Sequence, residues 1–357
     1  VIDLDDAAAL AAADPGGMLQ MVAGLPAQIE RAAAVRDALG AAPGTRAASR
    51  SVLVCGMGGS AIGGDLAAAW AAPHGVRVAV HRGYGLPAWL DDATLLVFSS
   101  YSGNTEETLS AFDAAAARGA ARRCIATGGA LAARARAAGA PLVRLPAGLQ
   151  PRAALGHSLV ALLVHLHAAG LVPDPVPDLE VAAAHLRRLA VEWGPEVPAA
   201  RNAAKRLARC WHGRLPVLYT GMGLGQPVGV RWKGQIHENA KSFATVGVFP
   251  ELDHNEIMAW SALPELRRNV VLVLLRDRDD GDAIARRMQV TAEILANRIG
   301  AIEWIDTIGD SRLERALAAA WLGDWASVYL ACLAGVDPTP VAEIEVLKAR
   351  LASAGTV

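Results

Sequence analysis

Cysteine is scarce and scattered. The chain of 357 residues holds four, Cys55, Cys124, Cys210 and Cys332, with no C-x-x-C among them. Neither a disulfide framework nor a zinc site of closely spaced thiols is written here; they read as reduced core thiols of a cytoplasmic protein. An excess of either charge is also missing. Lys and Arg number 34 against 35 Asp and Glu, a formal net charge of −1, which gives no support to a nucleic-acid footprint or to attraction by a membrane surface. The longest apolar stretch, 158–172, is interrupted by His165 and His167 and falls short of the ~20 residues a bilayer-spanning helix needs. The first residues show neither the charged nor the apolar region of a secretory signal. Aromatic residues make up only 5%, and the abundance of Ala, Leu and Val suits helices packed closely on parallel sheets. At this length two domains with ample cores are expected.

Residues 1–48 read as a helical segment. Met18, Met21, Val22, Leu25, Ile29 and Val35 recur at helical spacing, after Pro15-Gly16-Gly17 and before a stop at 40–44. Strand-like runs follow at 51–55, 76–80, 94–98 and 123–127, with a fifth at 142–145. Helical stretches separate them, an alternation that predicts a parallel sheet with helices on both faces. The Pro-rich stretch 172–177 is the candidate linker, because Pro cannot continue a helix and stiffens a connector. The same grammar then returns. Residues 215–223 parallel the first strand and its turn, 269–275 the strand at 94–98, and 301–305 the strand at 123–127. The pattern is that of an internal duplication.

Two Gly- and hydroxyl-rich segments carry the chemistry: Gly56-Met57-Gly58-Gly59-Ser60-Ala61-Ile62-Gly63-Gly64 and Ser99-Ser100-Tyr101-Ser102-Gly103-Asn104-Thr105-Glu106-Glu107. Each follows a strand-like run and opens a helical stretch, so each leaves free backbone N–H groups where an anion is favoured. Gly58 and Gly59 let the backbone come close to a bound group, while Ser60, Ser100, Ser102 and Thr105 add hydroxyl donors. Turns about forty residues apart converge if both lie at the C-terminal edge of one sheet, where open α/β folds place ligands. A small phosphate ester fits such neutral donors; two ordinary βα turns are the plainer alternative. The second half ends its corresponding strand in Arg276-Asp277-Arg278-Asp279-Asp280, without those hydroxyls. One half is therefore expected to bind phosphate and the other to supply different groups.

These two segments resemble the sugar isomerase (SIS) phosphosugar-binding domain. The runs Lys233-Gly234-Gln235-Ile236-His237-Glu238-Asn239-Ala240-Lys241 and Glu251-Leu252-Asp253-His254-Asn255-Glu256 narrow the likeness to the bifunctional phosphoglucose/phosphomannose isomerases, from about residue 50 onward. The resemblance implies an α/β fold of two SIS-type, flavodoxin-like domains, each a parallel sheet flanked by helices, at 49–172 and 178–330. Helical segments at 1–48 and 331–357 would complete the chain. It also implies an aldose–ketose isomerase that moves a proton between C1 and C2 of a sugar phosphate through an enediol, without a metal or redox cofactor. Such chemistry needs a base at carbon and acid–base groups at the ring oxygen, each general acid or base contributing ~10²–10⁴ in rate.

A Glu flanked by His and Lys reads by itself as a solvated helix face, in a segment too polar for a core helix. The resemblance makes Glu238 the proton-transfer base. His254 has an unperturbed pKa near ~6.5, suited to proton exchange with the ring oxygen; a capped helix start beside Asp253 or Asn255 is the alternative. The resemblance implies that His254 reaches the neighbouring subunit's site in a homodimer. It further implies a catalytic Lys in the terminal helix, for which Lys348 aligns better than Arg350, and a position tied to mannose-type activity at Thr339. Arg152 follows the first sheet, where its planar donors suit developing enediolate charge; a helix-terminus ion pair is its other role.

Other motifs fail on geometry. His165 and His167 lie ~200° apart on a helix, so their rings diverge from any common metal. Gly59-Ser60-Ala61-Ile62-Gly63 is not a nucleophile elbow. Gly56-x-Gly58-x-x-Ala61 fits a loose dinucleotide fingerprint, yet the next strand ends in His81-Arg82, without an acidic residue for a ribose hydroxyl. A non-catalytic SIS-type sugar-phosphate-binding protein is the competing function. It lacks support for a transcriptional role, since no basic patch or DNA-binding head is present.

Overall fold

The computed structural model describes residues 2–40, 49–262 and 264–353. Four short helices come first: α1 (Ala7–Ala13), α2 (Met18–Ala23), α3 (Leu25–Ile29) and α4 (Ala32–Leu39). Gly40 ends α4 with φ +58°; the rest of the expected stop, 41–44, lies outside the described residues. The first sheet comprises β1 (Ser51–Cys55), β2 (Arg77–His81), β3 (Leu95–Ser99), β4 (Arg122–Ala126) and β5 (Leu142–Arg144). It is parallel throughout, with spatial order β2-β1-β3-β4-β5. Its helices are α5 (Gly58–Ala71), α6 (Glu106–Ala117), α7 (Gly129–Ala137) and α8 (Leu155–Ala168). The five strand-like runs are present within one or two residues of where the pattern puts them.

Next come α9 (Val176–Trp193), α10 (Ala203–Trp211) and the second sheet: β6 (Leu215–Thr220), β7 (Thr245–Val248), β8 (Val270–Arg276) and β9 (Ala301–Asp306). It repeats the parallel order as β7-β6-β8-β9. The duplication is thus visible in topology, with β1 matching β6 and β3 matching β8. Around it run α11 (Gly225–Ala240), α12 (Pro264–Arg268), α13 (Gly281–Leu295), α14 (Arg312–Ala334) and α15 (Ala342–Ser353).

Alternation along the strands builds the layers. In β1, Leu53 and Cys55 join Phe112 of α6 and Leu131 of α7 in an outer core, while Val52 and Val54 face α5 and α8. In β8, Leu272 and Leu274 meet Met288 and Leu295 of α13, while Val271, Val273 and Leu275 face inward. The inward residues of both sheets belong to one cluster, so the two sheets share a central layer of helices. Each fully buried Val or Leu there contributes roughly 1.5–3 kcal/mol. The centre is α14, long and apolar enough to cross a membrane but buried inside the fold from Leu313 to Leu333. Ser311 and Glu314 form a capping box at its start, and Gly335 closes its end in the left-handed region.

Two expectations are corrected. Helix α9 begins inside the supposed linker 172–177, with Pro177 in its first turn, where a missing N–H costs nothing. The segment around Glu238, read as too polar for a core helix, is the end of α11, which is a core helix. Its buried polar residues are paired: Arg231 and Gln235 both donate to the Asp324 carboxylate on α14, at 2.6 and 2.9 Å. Strand β7 had no counterpart in the sequence reading, because it is a four-residue edge strand containing Gly247.

Candidate active site

Strands β1 and β3 are adjacent and parallel, so the turns that follow them open at the same sheet edge. They meet directly: the Tyr101 N–H donates to Ser60 Oγ at 3.2 Å. Glycine is required at the contact, since a Cβ on Gly56 would sit 2.8 Å from the Ser99 carbonyl oxygen. In the second turn the Ser100 and Thr105 hydroxyls are 2.8 Å apart, and Gly103 N–H donates to Ser100 Oγ at 3.0 Å. Ser102 is exposed and accepts from Asn104 N–H at 3.2 Å. Gly58 starts α5 at φ +49° with open space where a Cβ would point. Gly59 lies against the next element: its Cβ would be 2.8 Å from the Pro151 carbonyl oxygen. The hydroxyl-lined turns are therefore built up against the turn that carries Arg152.

Arg152 sits in the single helical turn Pro151–Ala153 ahead of α8 and is buried. Burial pushes its guanidinium pKa down, an effect the nearby Glu238 carboxylate opposes. Its Nη1 lies 3.6 Å from Glu238 Oε2. Glu238 occupies the last turn of α11, half-buried, with its carboxylate at this edge. Lys241, just beyond, has φ +51°. Its ammonium donates to the carbonyls of Glu238, Asn239 and Asp337 at 2.9, 3.2 and 2.7 Å, tying the end of α11 to the segment after α14. Thr339 joins the group by its backbone, whose carbonyl accepts from Arg152 Nη2 at 2.8 Å. Its hydroxyl instead faces Gly16 and has no partner among the described residues.

Among the described residues no hydrogen bond or ion pair joins His254 or Lys348 to this cluster. His254 ends the short turn Glu251–His254 after β7, exposed, and among the described residues its ring has no hydrogen-bond partner. Its neighbours are occupied structurally: Asn255 caps the following turn, and Asp253 pairs with Arg287 at 2.9 Å and accepts from Thr291 at 3.0 Å. Lys348 lies on α15 (Ala342–Ser353) and is exposed. Sequence reasoning assigned no role to Asn239 or Lys241, although both stand in the quoted run around Glu238; the polar character of that run was the available signal. A cavity of about 540 Å³ between α5, α11 and the start of α14 contains none of the candidate residues. Arg82, at its rim, is paired with Asp65.

Residues 200–351 match the family model of the bacterial phospho-glucose isomerase C-terminal SIS domain. Together with the repeated sheet order and the two hydroxyl-lined turns, this defines the chain's class: SIS-domain α/β proteins. A tagatose-6-phosphate ketose/aldose isomerase from Escherichia coli shares the fold at a TM-score of 0.66 and 16% identity, covering 89% of this chain and 94% of that one. The bifunctional phosphoglucose/phosphomannose isomerase of Caldicellulosiruptor bescii is 41% identical over 94% of this chain and 99% of its own length. That of Aquifex aeolicus is 37% identical, over 85% and 90% respectively. The chain belongs to the bifunctional phosphoglucose/phosphomannose isomerase family.

Proposed function

We propose that this protein interconverts glucose 6-phosphate and mannose 6-phosphate with fructose 6-phosphate. The observation that carries the reading is the Arg152–Glu238 pair, 3.6 Å apart, beside two converging hydroxyl-lined turns. The phosphate is held by Gly58, Gly59, Ser60, Ser100, Ser102 and Thr105, neutral donors for a group that does not change during reaction. Glu238 takes the proton from C2 of the open aldose and returns it to C1. As charge develops on the enediolate oxygens, the buried Arg152 guanidinium stabilises it. The enediol has lost its C2 configuration, so protonation on one face gives the gluco and on the other the manno product. One intermediate thus accounts for both activities without a metal.

His254 and Lys348 complete the proton transfers at the ring oxygen and hydroxyls. Supporting a second copy as the supplier of His254 are that residue's exposed, unpartnered ring and the exposed row Ile344, Leu347 and Leu351 on α15. The buried free thiols Cys55, Cys124 and Cys332 support a cytoplasmic setting.

The test is an assay with glucose 6-phosphate and mannose 6-phosphate in the presence of EDTA, following fructose 6-phosphate. Turnover of both is expected. Glu238→Gln should abolish exchange of C2 hydrogen with solvent while sugar-phosphate binding persists. Binding without turnover by the unaltered protein would favour the non-catalytic sugar-phosphate-binding alternative.

A further inference from the structure

Arg152 carries five N–H donors on three nitrogens, and they are held unequally. Asn239 Oδ1 takes Nε at 2.6 Å, and the Pro338 and Thr339 carbonyls take Nη2 at 2.7 and 2.8 Å. Among the described residues Nη1 has two long contacts, 3.5 Å to Gln150 Oε1 and 3.6 Å to Glu238 Oε2. The guanidinium is thus anchored at two nitrogens and loosely held at the third, the one beside the Glu238 carboxylate. From this we infer that Asn239 is a positioning residue, fixing Arg152 so that Nη1 faces the oxygen on which enediolate charge develops. The inference rests on the reading of Arg152 given above.

The geometry of Asn239 is over-determined. A guanidinium only donates, so the amide atom facing it is the oxygen. The amide nitrogen donates to Ser327 Oγ at 2.9 Å, and the Ser327 hydroxyl donates in turn to the Asp324 backbone carbonyl at 2.7 Å. Asn239 is fully buried, so neither partner can be replaced by bulk water. From the other side, Arg231 donates to the Arg152 carbonyl at 3.0 Å while paired with Asp324 at 2.6 Å. A carboxylate at position 239 would also reach Arg152, but it would spend the positive charge on itself. A neutral amide holds the fork and leaves its charge for the substrate. Asn239 also follows Glu238 directly, so base and guanidinium are placed relative to each other through a single peptide bond.

The experiment is a double-mutant cycle with Asn239→Ala, Arg152→Ala and the double variant, plus the isosteric Asn239→Asp. Each Asn239 variant should lower kcat by about 10²-fold, the scale of a misplaced catalytic group, with little change in KM. The double variant should lose no more than Arg152→Ala alone, because residues acting through one another are not additive. Additive losses, or wild-type kcat in Asn239→Asp, overturn the inference. If Asn239→Ala does not fold, the near-isosteric Asp variant carries the test. Wild-type protein that fails to isomerise sinks the functional reading instead. The same cycle is then read from affinity for a sugar-phosphate acid whose carboxylate stands in for the enediolate; loss of coupling there overturns the positioning role independently.

Discussion

Single residues in the core set a pH limit on this fold. His165 is fully buried on α8, its Nε2 3.1 Å from the Cys124 carbonyl oxygen, and burial pushes its pKa down to about 4. His157, on the same helix, is lowered to about 4 by burial and then by Arg31. Both folded values lie below the unfolded value of ~6.5, so on acidification the unfolded chain takes up protons first. Above pH ~6.5 neither group affects stability; between about 6.5 and 4 each removes roughly 1.4 kcal/mol per pH unit. Urea unfolding at pH 7.5, 6 and 5 should therefore show a falling free energy, and His165→Gln should flatten the slope by about half. A pH-independent free energy across that window would show that these imidazoles are not kept neutral.

At the scale of elements, the two halves use one βα architecture in opposite ways. In the first, the turn after β3, proposed to hold the phosphate, depends on Gly103, at φ +72°, whose Cβ would lie 1.9 Å from the Gly128 carbonyl oxygen. Gly103→Ala should displace this turn, raising KM for the sugar phosphate and costing ~1–3 kcal/mol of stability from backbone strain and clash. Steady-state kinetics with thermal melting checks it, and an unchanged KM would remove this turn from the phosphate site. In the second half the corresponding edge is filled from within. The Asp280 carboxylate packs where a Cβ on Gly221 would be, 2.1 Å from its Oδ1, and accepts from Asp277 N–H at 2.8 Å. Asp277 is in turn held by Arg315 at 2.8 Å. An anion site whose donors already serve carboxylates has no room for phosphate.

The whole molecule ties both sheets to one layer of helices, which is how Arg152 from the first half comes to lie against Glu238 and Asn239 from the second. It does not bring His254 to them within one chain. If His254 serves the neighbour's site, inactive Glu238→Gln and His254→Ala dimers that exchange subunits should regain activity. About half the dimers would be hybrids with one intact site each, so roughly a quarter of wild-type activity is the ceiling. No recovery, with exchange verified by mass labelling, would put both residues in one subunit's site or take His254 out of catalysis.

Features set by local chemistry were legible in the sequence. The buried strands β1, β3, β4, β6 and β8 declare themselves as short apolar runs, since a parallel strand is covered on both faces. The two turns after β1 and β3 are legible because Gly56 and Gly103 sit where a Cβ would strike backbone carbonyl oxygens. What depended on distant partners was not legible. Glu238 with His and Lys beside it made this stretch look solvated, and only Asp324, Ser327 and Arg152, between 87 and 93 positions from Arg231, Gln235 and Asn239, turn the polar residues of α11 into core. That Thr339 turns its hydroxyl toward Gly16 and offers its carbonyl to Arg152 could not be read from its own position. A side chain's chemistry is written at its own position, but whether it is buried, paired or aimed at a substrate is decided by groups that folding brings beside it.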